Sequence, residues 1–289
     1  MDTSRIRLTG GTDLSFTTAG DATRPALLLL HGTPNSSRMF RDIMPALAQS
    51  TYVIAPDLPG HGESDVLPDV TFAAMGRAIC ELLDRLGVGP RFIHLHDWGT
   101  PVGLHVAMAQ PKSVLGLIVQ NANAHQSGWG PGWAAQLEYW QHPTPENEKE
   151  VTAHLTLEGT RDTYISGVPA DVVARIPAEH WKEDWRVMQL SGHLDTQRAL
   201  IMDYKHYAAR FDAIAEYLKE RQPPALMVWG RHDIYFELDE VLSWMRALPR
   251  MQAHILDAGH LLFETHAAEA VPLMLDFIRR IGAEPHKSA

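Results

Sequence analysis

Apolar and polar positions fall into two textures along this chain. In its first and last parts, short apolar runs recur between Gly, Pro or Asp at Ala26–His31, Tyr52–Pro56, Phe92–His96 and Val114–Gln120, then at Ala225–Trp229 and Ala253–Leu256. Runs this short, apolar at consecutive rather than alternate positions, predict parallel strands buried on both faces. Between them, Ser37–Gln49, Thr71–Leu86 and Thr100–Gln110 carry helical spacing, and a last helix is expected over His266–Ile281. Strand and helix in alternation predict an α/β fold, a mostly parallel sheet with helices on both faces. Segment 125–223 has another texture, rich in Trp, His, Glu and Gln and without clear β runs, and reads as several helices. The predicted organisation is a core over 1–124 and 224–289, interrupted by a helical cap over 125–223. A cap above the carboxyl edge of the sheet would cover the place where open α/β sheets bind ligands. The terminal GAEPHKSA reads as a frayed tail.

Composition narrows the setting. A length of 289 residues suits one large α/β domain with an insertion, and 45% hydrophobic with 21% charged residues is ordinary for a globular protein. A formal net charge of −10, with no basic stripe, argues against nucleic acid or an anionic membrane as partner. No apolar run approaches a membrane span, and the amino terminus lacks an apolar signal core. With Cys80 as the single cysteine, no intramolecular disulfide can form, and the expected location is the cytoplasm. Sixteen histidines raise the question of metal, but they are scattered, without HExxH or a Cys/His cluster, so no metal site is expected. The glycines at 59–62 lack the context of a phosphate-binding loop, so no organic cofactor is implied. A small, mainly apolar substrate is the expected partner. Oligomeric state stays open, a homodimer included.

Four loops carry the candidate chemistry. In FIHLHDWGTPVGLHVAM an apolar strand runs through Asp97 directly into a helix. Such a turn pushes its central side chain out at the top of the sheet, beside the positive end of the helix. An aspartate there reads either as a nucleophile or as a helix cap. Leu95 stands where the usual small-x-nucleophile-x-small pattern has glycine. Upstream, His31-Gly32-Thr33-Pro34 follows a buried strand, so that the Thr33 and Trp98 backbone N–H groups can converge on an oxyanion. Downstream, Asp233 and His260 each follow a strand, giving the chain order nucleophile, acid, histidine. An imidazole so placed takes a proton from water while the acid holds its tautomer.

HGTPNSSRMFRDIMPAL, VIAPDLPGHGESD, HDWGTPVGLHVA, MVWGRHD and LDAGHLLFET together resemble the α/β-hydrolase superfamily. More narrowly they resemble its epoxide hydrolase and haloalkane dehalogenase branch, which has aspartate in place of serine. The resemblance implies an alkyl-enzyme ester on Asp97, hydrolysed by water that His260 activates and Asp233 supports. It also implies a phenol that protonates an opening epoxide, and Tyr204 of IMDYKHY stands where the family has a tyrosine followed by a basic residue. Substrate contacts are expected from His31 and Pro34 and from Tyr139, Trp140, Tyr164 and Tyr207 of the cap. A dehalogenase would instead hold halide between two N–H donors, one of them Trp98. The second is an asparagine where this chain has Thr33, or a cap tryptophan such as Trp129, Trp133 or Trp140. The arginines that follow the nucleophile of fluoroacetate dehalogenases are absent, with Trp98 and Pro101 in their places. Epoxide hydrolysis to a vicinal diol is the leading expectation, haloalkane hydrolysis the alternative, and a non-catalytic binder on the same scaffold a third.

Overall fold

The computed structural model describes residues 1–283; residues 284–289, most of the segment read as a tail, lie outside them. Eight strands form one sheet: β1 Asp2–Arg7, β2 Asp13–Ala19, β3 Ala26–Leu29, β4 Tyr52–Pro56, β5 Arg91–His96, β6 Val114–Gln120, β7 Ala225–Gly230 and β8 Gln252–Leu256. Their order is β1-β2-β4-β3-β5-β6-β7-β8, parallel from β4 to β8. The consecutive apolar runs have a simple cause: both faces are covered. In β3 and just past it, Leu28 and Leu30 enter one hydrophobic core and Leu27 and Leu29 the other, all with 0% exposure. Each such leucine contributes about 2 kcal/mol of burial.

Sequence pattern did not reveal β1 and β2. They form an antiparallel pair attached to β4, and β1 is exposed along most of its length. β1, a polar edge strand, has no buried face and leaves no alternation to read, while β2 is buried at Leu14 and Phe16 but holds only these two large apolar side chains.

The helices packed on the sheet follow the expected pattern with two differences. Helix Phe72–Arg85 is capped by Thr71, whose hydroxyl accepts from the Ala74 N–H. The expected single helix over Ser37–Gln49 is instead a 3₁₀ turn, Ser37–Phe40, and a short helix, Met44–Leu47. Pro45 lies in the first turn of the second piece, where its missing N–H costs no helical hydrogen bond. The last helix runs over Phe263–Ala283 and is interrupted at His266.

Between β6 and β7 the chain builds the helices Ala134–Gln141, Pro145–Val151, Leu157–Ile165, Ala170–Val173, Ala178–Met188, His193–Ala208 and Phe211–Arg221. No helix of the described residues is long and apolar enough to cross a membrane.

Candidate active site

β5 ends at His96 and the helix Gly99–Ala109 begins three residues later, so Asp97 occupies the apex of the turn. Its φ of +43° lies in the left-handed region, which costs a residue with a Cβ about 1–2 kcal/mol. Local bonds hold it there: its N–H donates to Asn121 O at 3.2 Å, and its carbonyl accepts from the Thr100 N–H at 2.9 Å. The unusual Leu95 is accommodated by Gly103, since a Cβ on residue 103 would fall 2.3 Å from the Leu95 side chain. The bulk missing from the helix is supplied by the strand.

The loop after β3 comes against this carboxylate. Asp97 Oδ1 accepts from the Thr33 N–H at 2.8 Å. A side chain on residue 32 would collide with Asp97, its Cβ lying 2.2 Å from Oδ1, so only glycine lets the loop approach this closely.

The other carboxylate oxygen, Oδ2, lies 3.6 Å from His260 Nε2, beyond hydrogen-bond range but close enough for a strong charge interaction. On the far side of the ring, Nδ1–H donates to Asp233 Oδ2 at 2.8 Å. Asp233 is itself held, accepting from the Tyr235 N–H at 2.7 Å and from Asn121 Nδ2–H at 2.8 Å. His260 is buried; burial alone would depress its pKa, but the charge and hydrogen bond of Asp233, then those of Asp97, push it up to about 10. The resting site therefore holds an imidazolium between two carboxylates. The His96 ring lies 4.7 Å from that of His260 and donates Nδ1–H to Gln120 O at 3.1 Å. Burial, then the charge on His260, keeps His96 neutral, far below its usual pKa.

A cavity of about 270 Å³ opens over these groups. Thr33, Asp97, Trp98 and His260 line it from the loops, Trp133, Ile201 and Tyr235 add aromatic and aliphatic wall, and Gln136, Glu150 and His154 are among the rest of the lining. Trp133 and Ile201 come from the helical segment between β6 and β7.

Comparison with known proteins identifies the scaffold. Residues 25–267 match the family model described as alpha/beta hydrolase fold. The chain belongs to that family. An uncharacterized hydrolase of Saccharomyces cerevisiae is 31% identical over 274 residues, covering 91% of this chain and 92% of the yeast protein. A haloalkane dehalogenase of Mesorhizobium japonicum is 39% identical over 106 residues, which is 36% of this chain and 34% of that enzyme. Among solved structures, the epoxide hydrolase CorEH aligns with a TM-score of 0.79 at 21% identity, covering 97% of this chain and 99% of that one.

This α/β-hydrolase brings together five of the residues expected from sequence: Thr33, Asp97, Trp98, Asp233 and His260. The other expected residues lie outside the cavity lining. His31 does not line the cavity; it is buried beneath the loop, with Nδ1–H donating to Gly32 O at 2.9 Å and Nε2 accepting from the Leu58 N–H at 2.9 Å. Pro34 is likewise buried and is not part of the lining. Tyr139 is buried away from the lining, and Trp140 spends its Nε1–H on Ile201 O at 2.9 Å. Tyr207 donates to Asn123 O, tying the helical segment to the end of β6. Tyr164 sits in a separate buried cluster, donating to Asp184 and accepting from Asn35 Nδ2–H at 3.0 Å.

Tyr204 is displaced from its expected place by one layer of packing. Its ring stacks on Trp140 and packs 4.9 Å from Trp133, which itself faces the cavity. Its hydroxyl is buried with no hydrogen-bond partner among the described residues. Burial first, then Tyr207 and Asp97, hold its pKa well above the ordinary phenol value.

Sequence reading missed Asn121, Gln197 and Tyr235. Asn121 offered a signal, since it follows β6 as Asp97 follows β5. It too is left-handed, with φ +40°, and its side chain clasps Gly230 as well as Asp233. Among the described residues no group of three or more His, Cys, Asp or Glu side chains could hold a metal ion.

Proposed function

We propose that this hydrolase opens epoxides to vicinal diols through an ester on Asp97. The observation that carries this reading is the division of labour on one carboxylate. Oδ1 is occupied by the Thr33 N–H at 2.8 Å, while Oδ2 stands 3.6 Å from His260 Nε2, with the cavity lined by both residues. A carboxylate is already ionised at neutral pH and needs no base for its attack. Oδ2 bonds to an epoxide carbon, that carbon–oxygen bond breaks, and the freed oxygen takes a proton from a phenol.

Esterification then changes the electrostatics. Asp97 loses its charge, and with it one of the two carboxylates that hold the proton on His260. The His260 proton passes to the phenolate, and the neutral imidazole becomes a base for water. Water attacks Cγ, negative charge develops on Oδ1 against the Thr33 N–H, and the Cγ–Oδ2 bond breaks. His260 takes one proton of the water and the departing Oδ2 takes the other, so the diol leaves neutral, Asp97 is again a carboxylate and His260 ends protonated, as it began. One water and one epoxide are consumed for each diol.

Epoxide rather than haloalkane is supported by the indole donors. A halide site needs a second N–H beside that of Trp98. Thr33 offers no side-chain N–H, and its hydroxyl donates to Gln197 Oε1 at 2.6 Å. Trp133 spends its Nε1–H on Tyr235 O at 2.8 Å and Trp140 is committed to Ile201 O, while Trp129, whose Nε1–H has no partner among the described residues, does not line the cavity. Two phenols compete for the proton-donor role. Tyr235 is favoured by cavity contact, with its ring 5.1 Å from that of His260. Tyr204 is favoured by a hydroxyl with no other partner.

Purified protein incubated with styrene oxide and, separately, with 1-bromobutane tests the reading. Diol without bromide release is expected; bromide release without diol overturns it. Replacing Tyr235 and Tyr204 singly with Phe identifies the proton donor, which is the position with the larger loss of diol formation.

A further inference from the structure

The helix His193–Ala208 carries Gln197, Ile201 and Tyr204 at spacings that stack them on one face. Ile201 lines the cavity, and Gln197, 1% exposed, reaches past it to the loop after β3. The hydrogen bonds there have one consistent direction. Pro59 O can only accept, so His61 carries its proton on Nδ1, which donates at 3.2 Å and leaves Nε2 as an acceptor. Gln197 Nε2–H donates to that nitrogen at 2.8 Å, which turns Gln197 Oε1 toward Thr33 to accept its hydroxyl at 2.6 Å. The opposite amide orientation would set two acceptors against each other at Pro59. His61 is kept neutral by burial, and then by the neighbouring His31, with its pKa down to about 3.

The same Thr33 supplies the N–H on Asp97 Oδ1. That N–H belongs to the Gly32–Thr33 peptide, whose carbonyl accepts from His31 Nδ1–H at 2.9 Å. The peptide is thus gripped from the core through Gly32 O and from the helical segment through the Thr33 side chain.

We infer that Gln197 is a positioning residue for ester hydrolysis: by holding the Thr33 hydroxyl it aims the Thr33 N–H at the oxyanion that forms on Asp97. The inference rests on the proposed ester mechanism. In that mechanism Oδ1 gains its full charge only when water attacks Cγ, so a misaimed N–H slows the second half-reaction and spares the first. For a covalent two-step enzyme limited by its second step, this has a distinctive signature. kcat and KM fall together, and kcat/KM, set by ester formation, stays constant.

The test uses styrene oxide with the full chain. Gln197→Met, of similar shape but without the amide, is expected to slow decay of the Asp97 ester about tenfold, as followed by quenched-flow mass spectrometry, less than removal of an oxyanion donor outright. kcat/KM is expected to stay within about twofold. Thr33→Val, which keeps the backbone N–H but loses the hydroxyl, is expected to behave alike, and the double variant to be no slower than either single one. Thermal unfolding of each variant identifies any that is misfolded. An ester that decays at the wild-type rate in both single variants overturns the inference. So does a raised KM with a lower kcat/KM, the mark of a disturbed pocket. Diol formation by the wild type without any Asp97 ester overturns the ester mechanism and this inference with it.

Discussion

The two halves of this site are built differently. The loops after β3, β5, β7 and β8 bring Thr33, Asp97, Asp233 and His260 to one edge of the sheet, each delivered by main-chain topology. The helical segment between β6 and β7 delivers Trp133, Ile201 and Gln197 by packing. In the first half a residue's place follows from where its strand ends. In the second it follows from how each helix is rotated on its neighbours, and a turn of one position exchanges a cavity wall for core. The charged groups accordingly come from the loops, and much of the cavity wall from the helical segment.

Substitutions can break or sharpen that contrast. The largest effect is expected at the elbow. Asp97→Asn should abolish the ester and lower diol formation by about four orders of magnitude, measured by product assay and mass spectrometry. Comparable activity in that variant would remove Asp97 from the mechanism. His260→Gln should lower turnover by about three orders of magnitude while an ester accumulates on Asp97. A variant with no adduct and no turnover would instead place His260 before the first step.

Asn121→Ala is a finer probe of the loop half. It removes one donor from Asp233 and unlocks the clasp on Gly230. A loss of about ten- to a hundredfold in kcat is expected, with little change in KM; a change confined to KM would show that Asn121 acts on the cavity instead.

For a helical-segment residue away from the cavity the expectation reverses, with stability affected and catalysis spared. Tyr164→Phe removes the hydroxyl that donates to the buried Asp184 and accepts from Asn35, leaving those two only their own bond at 2.6 Å. It should cost about 1–3 kcal/mol in urea unfolding. kcat should not change, and a large kcat loss would mean that the Asn35–Asp184 cluster reaches the site.

A pH series probes the buried histidines of both halves. Burial is the first cause holding His31 and His94 at about 4 and His61 at about 3, all below the ordinary value of 6.5. These rings are neutral in the folded chain and take up protons on unfolding, so the stability they contribute is present above pH 6.5 and is lost as pH falls toward 4. The loss is at most about 1.4 kcal/mol per pH unit for each ring. His260 has the opposite sign. Its pKa is raised to about 10, so its contribution is complete below 6.5 and disappears as pH rises through 10. The melting temperature should therefore peak near neutrality and fall on both sides. A monotonic rise into alkali would show that His260 is not held charged at rest.

The same contrast governs how much could be read from the chain itself. The parallel strands were legible because burial on both faces leaves consecutive apolar residues, as at Leu27–Leu30. β1 was not, because an exposed edge imposes no such pattern, and neither was β2, where only Leu14 and Phe16 are large and apolar. Asp97, Asp233, His260 and Thr33 were legible because a loop after a buried strand in this architecture has only one edge of the sheet to occupy. Composition and helical spacing marked 125–223 as helical. Spacing shows which residues share a face of a helix, but not which face looks inward. Tyr204 and Ile201 lie within one helical turn of each other, yet only Ile201 meets the cavity, while Tyr204 is stacked behind Trp133. That choice depends on side-chain packing between elements distant in sequence, and so does the link from Gln197 across 164 positions to Thr33. The sequence by itself determined the fold family and the loops that carry the charged groups, because strand topology is a local consequence of apolar runs. Tertiary structure alone decided which aromatics form the cavity wall and what aims the Thr33 N–H, because those are properties of helix rotation and of close-packed contact.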